Sequence, residues 1–268
     1  MTPENRKKVP LSFLLASHRS GTTLLRECLG SHSKIESLDE VFVGYRQQPK
    51  NFFKFHKVLV KKDANWAIPE DESQKRLYHE YTSYLRGLYN PGSNLIVDVK
   101  YSHAHRLNKI NHRPFDVPNL LSMVMNSEAL IIHLVRKNIL EAHISSLVAK
   151  KNGSFRAKNR SEVADPVVSV DCTVLLADLE RRQKEIEFFD DILRDYPRTL
   201  RYEYGDLIGP DGDIDISIVT EISSSLGLDV EFDRTPARQK LALPLEDSIT
   251  NYDAVRTTLL GTQYAWML

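Results

Sequence analysis

The sequence predicts an α/β protein with three layers, in which helices cover both faces of a central, mainly parallel sheet. Short apolar runs that read as buried strands alternate with longer segments of helical periodicity between Leu11 and Gly227. A chain of 268 residues with 41% hydrophobic residues can bury one sizeable core. We therefore expect a single domain over residues 1–268.

Composition and charge exclude several classes of function. Lys+Arg and Asp+Glu both total 36, so no overall field would attract nucleic acid or an acidic membrane. The two cysteines make no disulfide framework, and no Cys-x-x-Cys or His-Glu-x-x-His spacing indicates a metal site. The chain shows neither a signal peptide nor an apolar run long enough to span a bilayer. We expect a cytoplasmic protein without bound metal, and its oligomeric state stays open.

The main signal lies where the first strand meets the first helix. An apolar run from Leu11 to Ala16 reads as a buried strand, and a polar turn joins it to a helix beginning at Thr22. The first N–H groups of a helix lack intrahelical partners and carry about half a positive charge, which suits an anion. Around them the sequence places a permanent positive charge, three hydroxyls and a glycine that permits close approach, from Arg19, Ser20, Gly21, Thr22 and Thr23.

This turn differs from a Walker A loop. In Walker A the last glycine is followed by Lys and Ser/Thr, whereas Gly21 is followed by Thr22-Thr23 and the cation, Arg19, precedes it. Arg-Ser-Gly-Thr-Thr between strand and helix resembles the 5′-phosphosulfate loop of the sulfotransferase family. The resemblance implies a P-loop NTPase-like sulfotransferase fold, 3′-phosphoadenosine 5′-phosphosulfate (PAPS) as co-substrate, and no metal. It implies that Arg19 stabilises the leaving phosphate and that residues 20–23 hold the phosphosulfate.

A second segment, from Ala129 to Lys150, strengthens the resemblance. Residues Ala129 to Val135 read as a strand, Arg136-Lys137 follows at its carboxyl end, and a helix comes next. Sulfotransferases bind the nucleotide 3′-phosphate with an arginine that ends such a strand and a serine two turns into the helix, which matches Arg136 and Ser145. These residues are nine positions apart, and some family members have eight, so Lys137 remains an alternative to the arginine.

Three residues are candidates for the general base that takes the proton of an acceptor hydroxyl. Glu40 follows a short strand, where the family often carries its base. His103 and His105 follow a buried strand from Asn94 to Tyr101, where cytosolic sulfotransferases place a catalytic histidine. The sequence leaves the choice open. Within that strand, Lys100 is expected either to face the donor sulfate or to pair with a neighbouring aspartate.

The remaining assignments come from the second half of the chain and from the variable segments. Residues 199–207 resemble the late Tyr-Glu-x-Leu strand of the family, and Tyr202 is assigned to the nucleotide site. Arg238 and Lys240 lie in a basic segment like the one that closes over the nucleotide in the family. The segments at about 45–93 and 104–128 carry no readable motif and are expected to shape the acceptor pocket.

These motifs predict transfer of a sulfuryl group from PAPS to a hydroxyl of a small-molecule, carbohydrate or lipid acceptor. Two alternatives are an ATP-dependent P-loop kinase and a non-catalytic nucleotide-binding protein on the same fold. The missing Lys-Ser/Thr after the glycine counts against the kinase. The neutral charge balance argues against nucleic acid as a partner.

Overall fold

Parallel strands form the sheet at the centre of the protein. The computed structural model describes residues 11–44, 49–67, 70–105, 116–153, 165–235 and 243–268. Its strands are Leu11–Ala16 (β1), Ile35–Leu38 (β2), Asn94–Lys100 (β3), Leu130–Val135 (β4) and Thr199–Glu203 (β5). They pair in the order β2-β3-β1-β4-β5, and every pair is parallel. The predicted sheet is confirmed.

The three inner strands are buried along their whole length, which explains why they read as mostly apolar runs. Every residue of β1, β3 and β4 is buried, as expected when helices cover both faces of a parallel sheet. The chain runs from β1 outward to β2 and back to β3, and then crosses to β4 and β5 on the other side. The carboxyl end of β1 therefore lies where the strand order changes side, the usual place for a ligand in such sheets.

Helices connect these strands. In the described residues the α-helices are Thr22–Leu29 (α1), Phe52–Lys62 (α2), Asp71–Gly87 (α3), Tyr101–Ala104 (α4), Asn119–Asn126 (α5), Ile139–Asn152 (α6), Cys172–Leu193 (α7), Ile216–Leu226 (α8), Leu245–Ser248 (α9) and Tyr252–Leu259 (α10). Short 3₁₀ helices span Ala64–Ala67, Tyr204–Leu207 and Ala265–Met267. None of the helices in the described ranges is both long and apolar enough to cross a membrane.

The two faces of the sheet carry separate hydrophobic cores, which confirms the three-layer prediction. On one face, Leu14 and Ile132 pack with residues of α1 and α8. On the other face, Phe13 and Ile131 belong to a larger core that includes residues of α3, α5, α6, α7 and α10. Alternate residues of each inner strand supply the two cores, as the two-residue period of a strand requires.

The helix boundaries near the sheet follow local sequence signals. Asn138 caps α6, and its side chain accepts the N–H of Glu141 at 3.0 Å. Gly227 ends α8 at φ 67°, in the left-handed conformation that favours glycine. The Asn138 cap fixes where α6 starts after β4, and hence where its side chains meet the end of that strand.

The buried environment of Cys28 leads to a prediction about its reactivity. Cys28 packs on α1 with Ile214 and Val219, and burial raises the pKa of its thiol to about 11. Since the thiolate is the reactive form, its fraction at pH 8 is about 100-fold smaller than for an ordinary cysteine. We expect iodoacetamide at pH 8 to label Cys28 at least ~10-fold more slowly than free cysteine, as measured by peptide mass spectrometry. In urea the two should react alike, and equally fast labelling of the folded protein would contradict the buried position.

Candidate active site

The turn between β1 and α1 has an unusual backbone. Arg19 lies at φ 69° and Gly21 at φ 83°, both in the left-handed region. A non-glycine residue rarely adopts this conformation, which costs about 1–2 kcal/mol. Gly21 offers no side chain to cap α1, so the N-cap residue satisfies none of the first N–H groups of the helix through a side chain, an arrangement that suits an anion.

Tyr204 packs directly on this turn. A Cβ atom placed on Gly21 would lie 2.5 Å from Cε2 of Tyr204, so only glycine leaves room for the ring. The guanidinium carbon of Arg136 lies 4.4 Å from the centroid of the same ring. Tyr204 was not among the site residues predicted from the sequence. The resemblance to a Tyr-x-x-Leu pattern, which Tyr204 to Leu207 also satisfies, is the signal that could have found it.

Tyr202, which the sequence assigned to the nucleotide site, directs its hydroxyl to α8 and not to the turn. It lies inside β5 and faces α8, where its hydroxyl donates to Oε2 of Glu221 at 2.8 Å. Burial and this carboxylate raise the pKa of Tyr202 above its ordinary value. The 3₁₀ helix that follows β5 changes the direction of the chain, and the structure brings the next tyrosine, Tyr204, to the turn.

The predicted residues Arg19, Arg136 and Ser145 meet at the turn. Nε of Arg19 donates to Oγ of Ser145 on α6 at 2.9 Å. A terminal nitrogen of Arg136 donates to the carbonyl oxygen of Arg19 at 3.0 Å, and the other pairs with Glu141 at 2.5 Å. Only 6% of the Arg136 side chain is exposed. Glu141 offsets the cost of burying this charge. Arg136 thereby holds the backbone of the turn through the Arg19 carbonyl.

Lys137, the alternative to Arg136, points away from the turn. Its ammonium pairs with Glu203 at the end of β5, and 60% of its side chain is exposed. Adjacent residues after a strand leave in different directions, and here Arg136 is the one that faces the turn.

A second cation reaches the turn from β3. Nζ of Lys100 donates to Oδ1 of Asp98 at 2.7 Å and also to Oγ1 of Thr22, the first residue of α1. Both Lys100 and Asp98 side chains are at most 4% exposed. They are two residues apart, so they share one side of the strand. The predicted pair with an aspartate is confirmed, and it lies at the turn.

The structure places the three candidate bases in different surroundings. Three carboxylates meet near the turn: an oxygen of Glu40, one of Asp39 and one of Asp98 all lie within 4.8 Å of one another. Glu40 therefore lies beside the Lys100–Asp98 pair. His103 is buried, and its Nδ1 accepts the N–H of Lys100 at 3.2 Å.

His105 packs on α7, which covers the face of the sheet opposite to α1. Its ring packs against Phe188 and Phe189 of α7, with centroid distances of 6.4 and 6.2 Å. Glu40 and His103 therefore both lie at Lys100, Glu40 beside its ion pair with Asp98 and His103 at its backbone N–H, whereas His105 packs on α7.

His18 is a further candidate that sequence reasoning missed. It lies in the turn, and its exposed ring places Nε2 3.3 Å from Oγ of Ser102. Its ring centroid lies 5.8 Å from that of His103. Partial desolvation and then the charge of Lys100 lower the pKa of His18 to about 4, so this imidazole is neutral at physiological pH. Its position next to Arg19 in the sequence was the available signal.

Two predicted site residues, Arg238 and Lys240, lie outside the described residues. Their assignment to the 3′-phosphate stays a prediction.

Comparison with known proteins identifies one family. The model of a family described as the sulfotransferase family matches residues 10–203. This match spans well over half of the chain and includes the turn, Glu40, both histidines after β3, Arg136 and Ser145. No curated protein sequence matches the chain.

The contact between Gly21 and Tyr204 gives a prediction with a matched control. Gly21 and Gly212 have nearly the same φ, 83° and 84°, but a Cβ at Gly212 would meet nothing within 4 Å. We expect Gly212→Ala to lower the free energy of unfolding by about 1–2 kcal/mol, from backbone strain alone. Gly21→Ala adds overlap with the ring and should cost roughly 3 kcal/mol or more.

Urea denaturation of the two variants measures this difference. In a Tyr204→Ala background, Gly21→Ala should cost only the part due to strain, because the overlap with the ring is gone. Equal losses in Gly21→Ala and Gly212→Ala would show that the ring does not constrain the turn.

Proposed function

Because the chain belongs to the sulfotransferase family, we propose that it transfers a sulfuryl group from PAPS to a hydroxyl of a small-molecule, carbohydrate or lipid acceptor. The observation that carries this proposal is the contact between the two motifs, in which Arg19 of the turn reaches Ser145 while Arg136 holds the Arg19 carbonyl. Several cations gathered at one turn suit a nucleotide that carries both a phosphosulfate and a further phosphate.

The residues around the turn fit the phosphosulfate end of this donor. The uncapped start of α1 offers backbone N–H groups, and Ser20, Thr22 and Thr23 add hydroxyls. Gly21 lets the backbone approach the anion closely, and the ammonium of Lys100 lies at Thr22. We propose that Ser20, Gly21, Thr22 and Thr23 hold the phosphosulfate.

The end of β4 and the second turn of α6 suit the 3′-phosphate. Arg136 is a permanent cation in a buried position, and Ser145 supplies a hydroxyl within reach of Arg19. We replace Tyr202 by Tyr204 in the proposed nucleotide site, because the Tyr204 ring contacts both Gly21 of the turn and the Arg136 guanidinium.

In the proposed reaction the acceptor oxygen forms a bond to sulfur while the bond from sulfur to the bridging phosphate oxygen breaks. The products are the sulfated acceptor and adenosine 3′,5′-bisphosphate. Negative charge develops on the leaving oxygen, and fixed cations lower the barrier by stabilising it. Arg19 and Lys100 are the proposed cations, and Glu40 is the proposed acceptor of the hydroxyl proton.

The kinase alternative is less well supported by the turn. A P-loop kinase uses the lysine after the last glycine and the next hydroxyl, which binds magnesium. Here Thr22 follows Gly21, and its hydroxyl accepts from Lys100. A non-catalytic nucleotide-binding protein would keep donor binding but transfer nothing to any acceptor.

Nucleotide binding tests the donor. By calorimetry we expect adenosine 3′,5′-bisphosphate to bind equally well with and without EDTA, and more tightly than ADP with magnesium. Arg136→Ala should weaken binding at least ~10-fold, because a charge-assisted hydrogen bond is lost. Lys137→Ala, which removes the adjacent exposed cation, should change binding by less than about twofold. Tighter binding of ADP with magnesium would favour the kinase.

Turnover in an acceptor screen tests the base. Glu40→Gln should lower kcat about 100-fold, since proton transfer is lost, while bisphosphate affinity changes by less than about twofold. Asp39→Asn, in which the neighbouring partner of Arg26 is changed, is the matched control and should retain most of the rate. If Glu40→Gln kept its rate and His18→Gln lost it, the base would be the histidine of the turn.

A further inference from the structure

A histidine lies in the middle of β4, an inner strand next to β1, and its ring faces α7. His133 is completely buried between the apolar residues of that strand. A buried polar ring costs stability unless its nitrogens find partners. Nε2 of His133 lies 2.6 Å from the hydroxyl of Tyr101, and Nδ1 lies 3.4 Å from Oδ1 of Asp190.

The contacts continue to the edge of the sheet. Arg201, the neighbour of His133 in the register of β4 and β5, donates Nε to Oδ1 of Asp190 at 2.7 Å and a terminal nitrogen to Oδ2 at 3.0 Å. We call the set Tyr101, His133, Asp190 and Arg201 the tyrosine anchor. It runs from a half-exposed ion pair to a buried hydroxyl.

The direction of the hydrogen bonds follows from charge. Burial lowers the pKa of His133 and raises the pKa of Tyr101, so the imidazole is neutral and the phenol keeps its proton. The Nδ1 contact with Asp190 is too poorly aligned for a hydrogen bond, but a proton on Nδ1 faces a carboxylate, whereas a lone pair there would be repelled. Tyr101 therefore donates to Nε2.

Tyr101 is the residue after Lys100, and the two side chains contact opposite layers. The Lys100 ammonium contacts Thr22 at the start of α1. The Tyr101 ring stacks on Phe189 of α7, with a centroid distance of 4.2 Å and an interplanar angle of 12°. Between them, the N–H of Lys100 donates to Nδ1 of His103. The end of β3 is thus held from both faces of the sheet.

We propose that the tyrosine anchor positions Lys100 against the turn, with Tyr101 and His133 acting as positioning residues for the anion site. The proposal rests on the proposed function for its catalytic consequence. The placement of Lys100 itself is open to measurement in the protein without ligand.

The first test measures the histidine tautomer by nitrogen NMR of the free protein with labelled histidine. We expect one neutral histidine to hold its proton on Nδ1 from pH 6 to 8, and Tyr101→Phe to shift its Nε2 resonance. His133→Gln assigns the signal. His133 resonances that Tyr101→Phe leaves unchanged would show that the two side chains are not linked, and would overturn the proposal without any need for an active variant.

The second test compares two tyrosines by amide hydrogen exchange. Tyr81 is also fully buried, and its hydroxyl donates to the Lys50 carbonyl at 2.5 Å, outside the tyrosine anchor. Tyr101→Phe and Tyr81→Phe remove the same group from a buried ring. We expect exchange at residues 100–103 to rise at least ~10-fold in Tyr101→Phe, and to stay at the wild-type rate in Tyr81→Phe. Equal exchange there in both variants would overturn the proposal.

The third test links the anchor to turnover. With a displaced Lys100, Tyr101→Phe should lower kcat about tenfold while KM for PAPS changes by less than about threefold, and Tyr81→Phe should match the wild type. If wild type failed to bind the bisphosphate while the tautomer and exchange results held, the proposed function would fall and the positioning of Lys100 would stand. If wild type turned over and both variants matched it, the positioning role would fall.

Discussion

The turn after β1 is the constraint on which the rest of the site depends. It holds Arg19 and Gly21 at positive φ, and the Arg19 conformation costs about 1–2 kcal/mol. Contacts from three other elements offset this cost: Arg136 after β4 holds the Arg19 carbonyl, Ser145 on α6 accepts from its side chain, and Lys100 of β3 holds Thr22. The turn therefore keeps its shape only in the folded sheet, and its N–H groups are oriented before any anion arrives.

Two buried cations next to the turn have a carboxylate partner each. Asp98 pairs with Lys100, and Glu141 pairs with Arg136. Buried ion pairs contribute little net stability, because desolvation cancels much of their attraction. They do supply fixed charge in a chain whose formal net charge is zero, and fixed charge needs no reorganisation when an anion binds or reacts. The two carboxylates thus allow the two cations to stay buried at the site when no ligand is bound.

The sequence was sufficient for the sheet, and it placed both motifs directly after parallel strands. Strands buried on both faces leave mostly apolar runs, so β1, β3 and β4 were predicted almost to the residue. Parallel strands end at one edge, which is why Arg19 after β1 and Arg136 after β4 lie close together. The orientation of single side chains could not be predicted from the sequence. Tyr204 rather than Tyr202 faces the turn because a 3₁₀ helix follows β5, and no periodicity reveals that change of direction.

Lys100 shows how this turn departs from a Walker A loop in physical terms. In Walker A the ammonium that meets the outer phosphates comes from the residue after the last glycine. Thr22 occupies that position here, and Lys100 brings an ammonium to its hydroxyl from the neighbouring strand. A lysine of the loop moves with the loop, whereas Lys100 is held by β3 and by the contacts of Tyr101 on the opposite face. Residues of α7 and β5, which are far from the turn in the sequence, therefore help to position the side chains of this site.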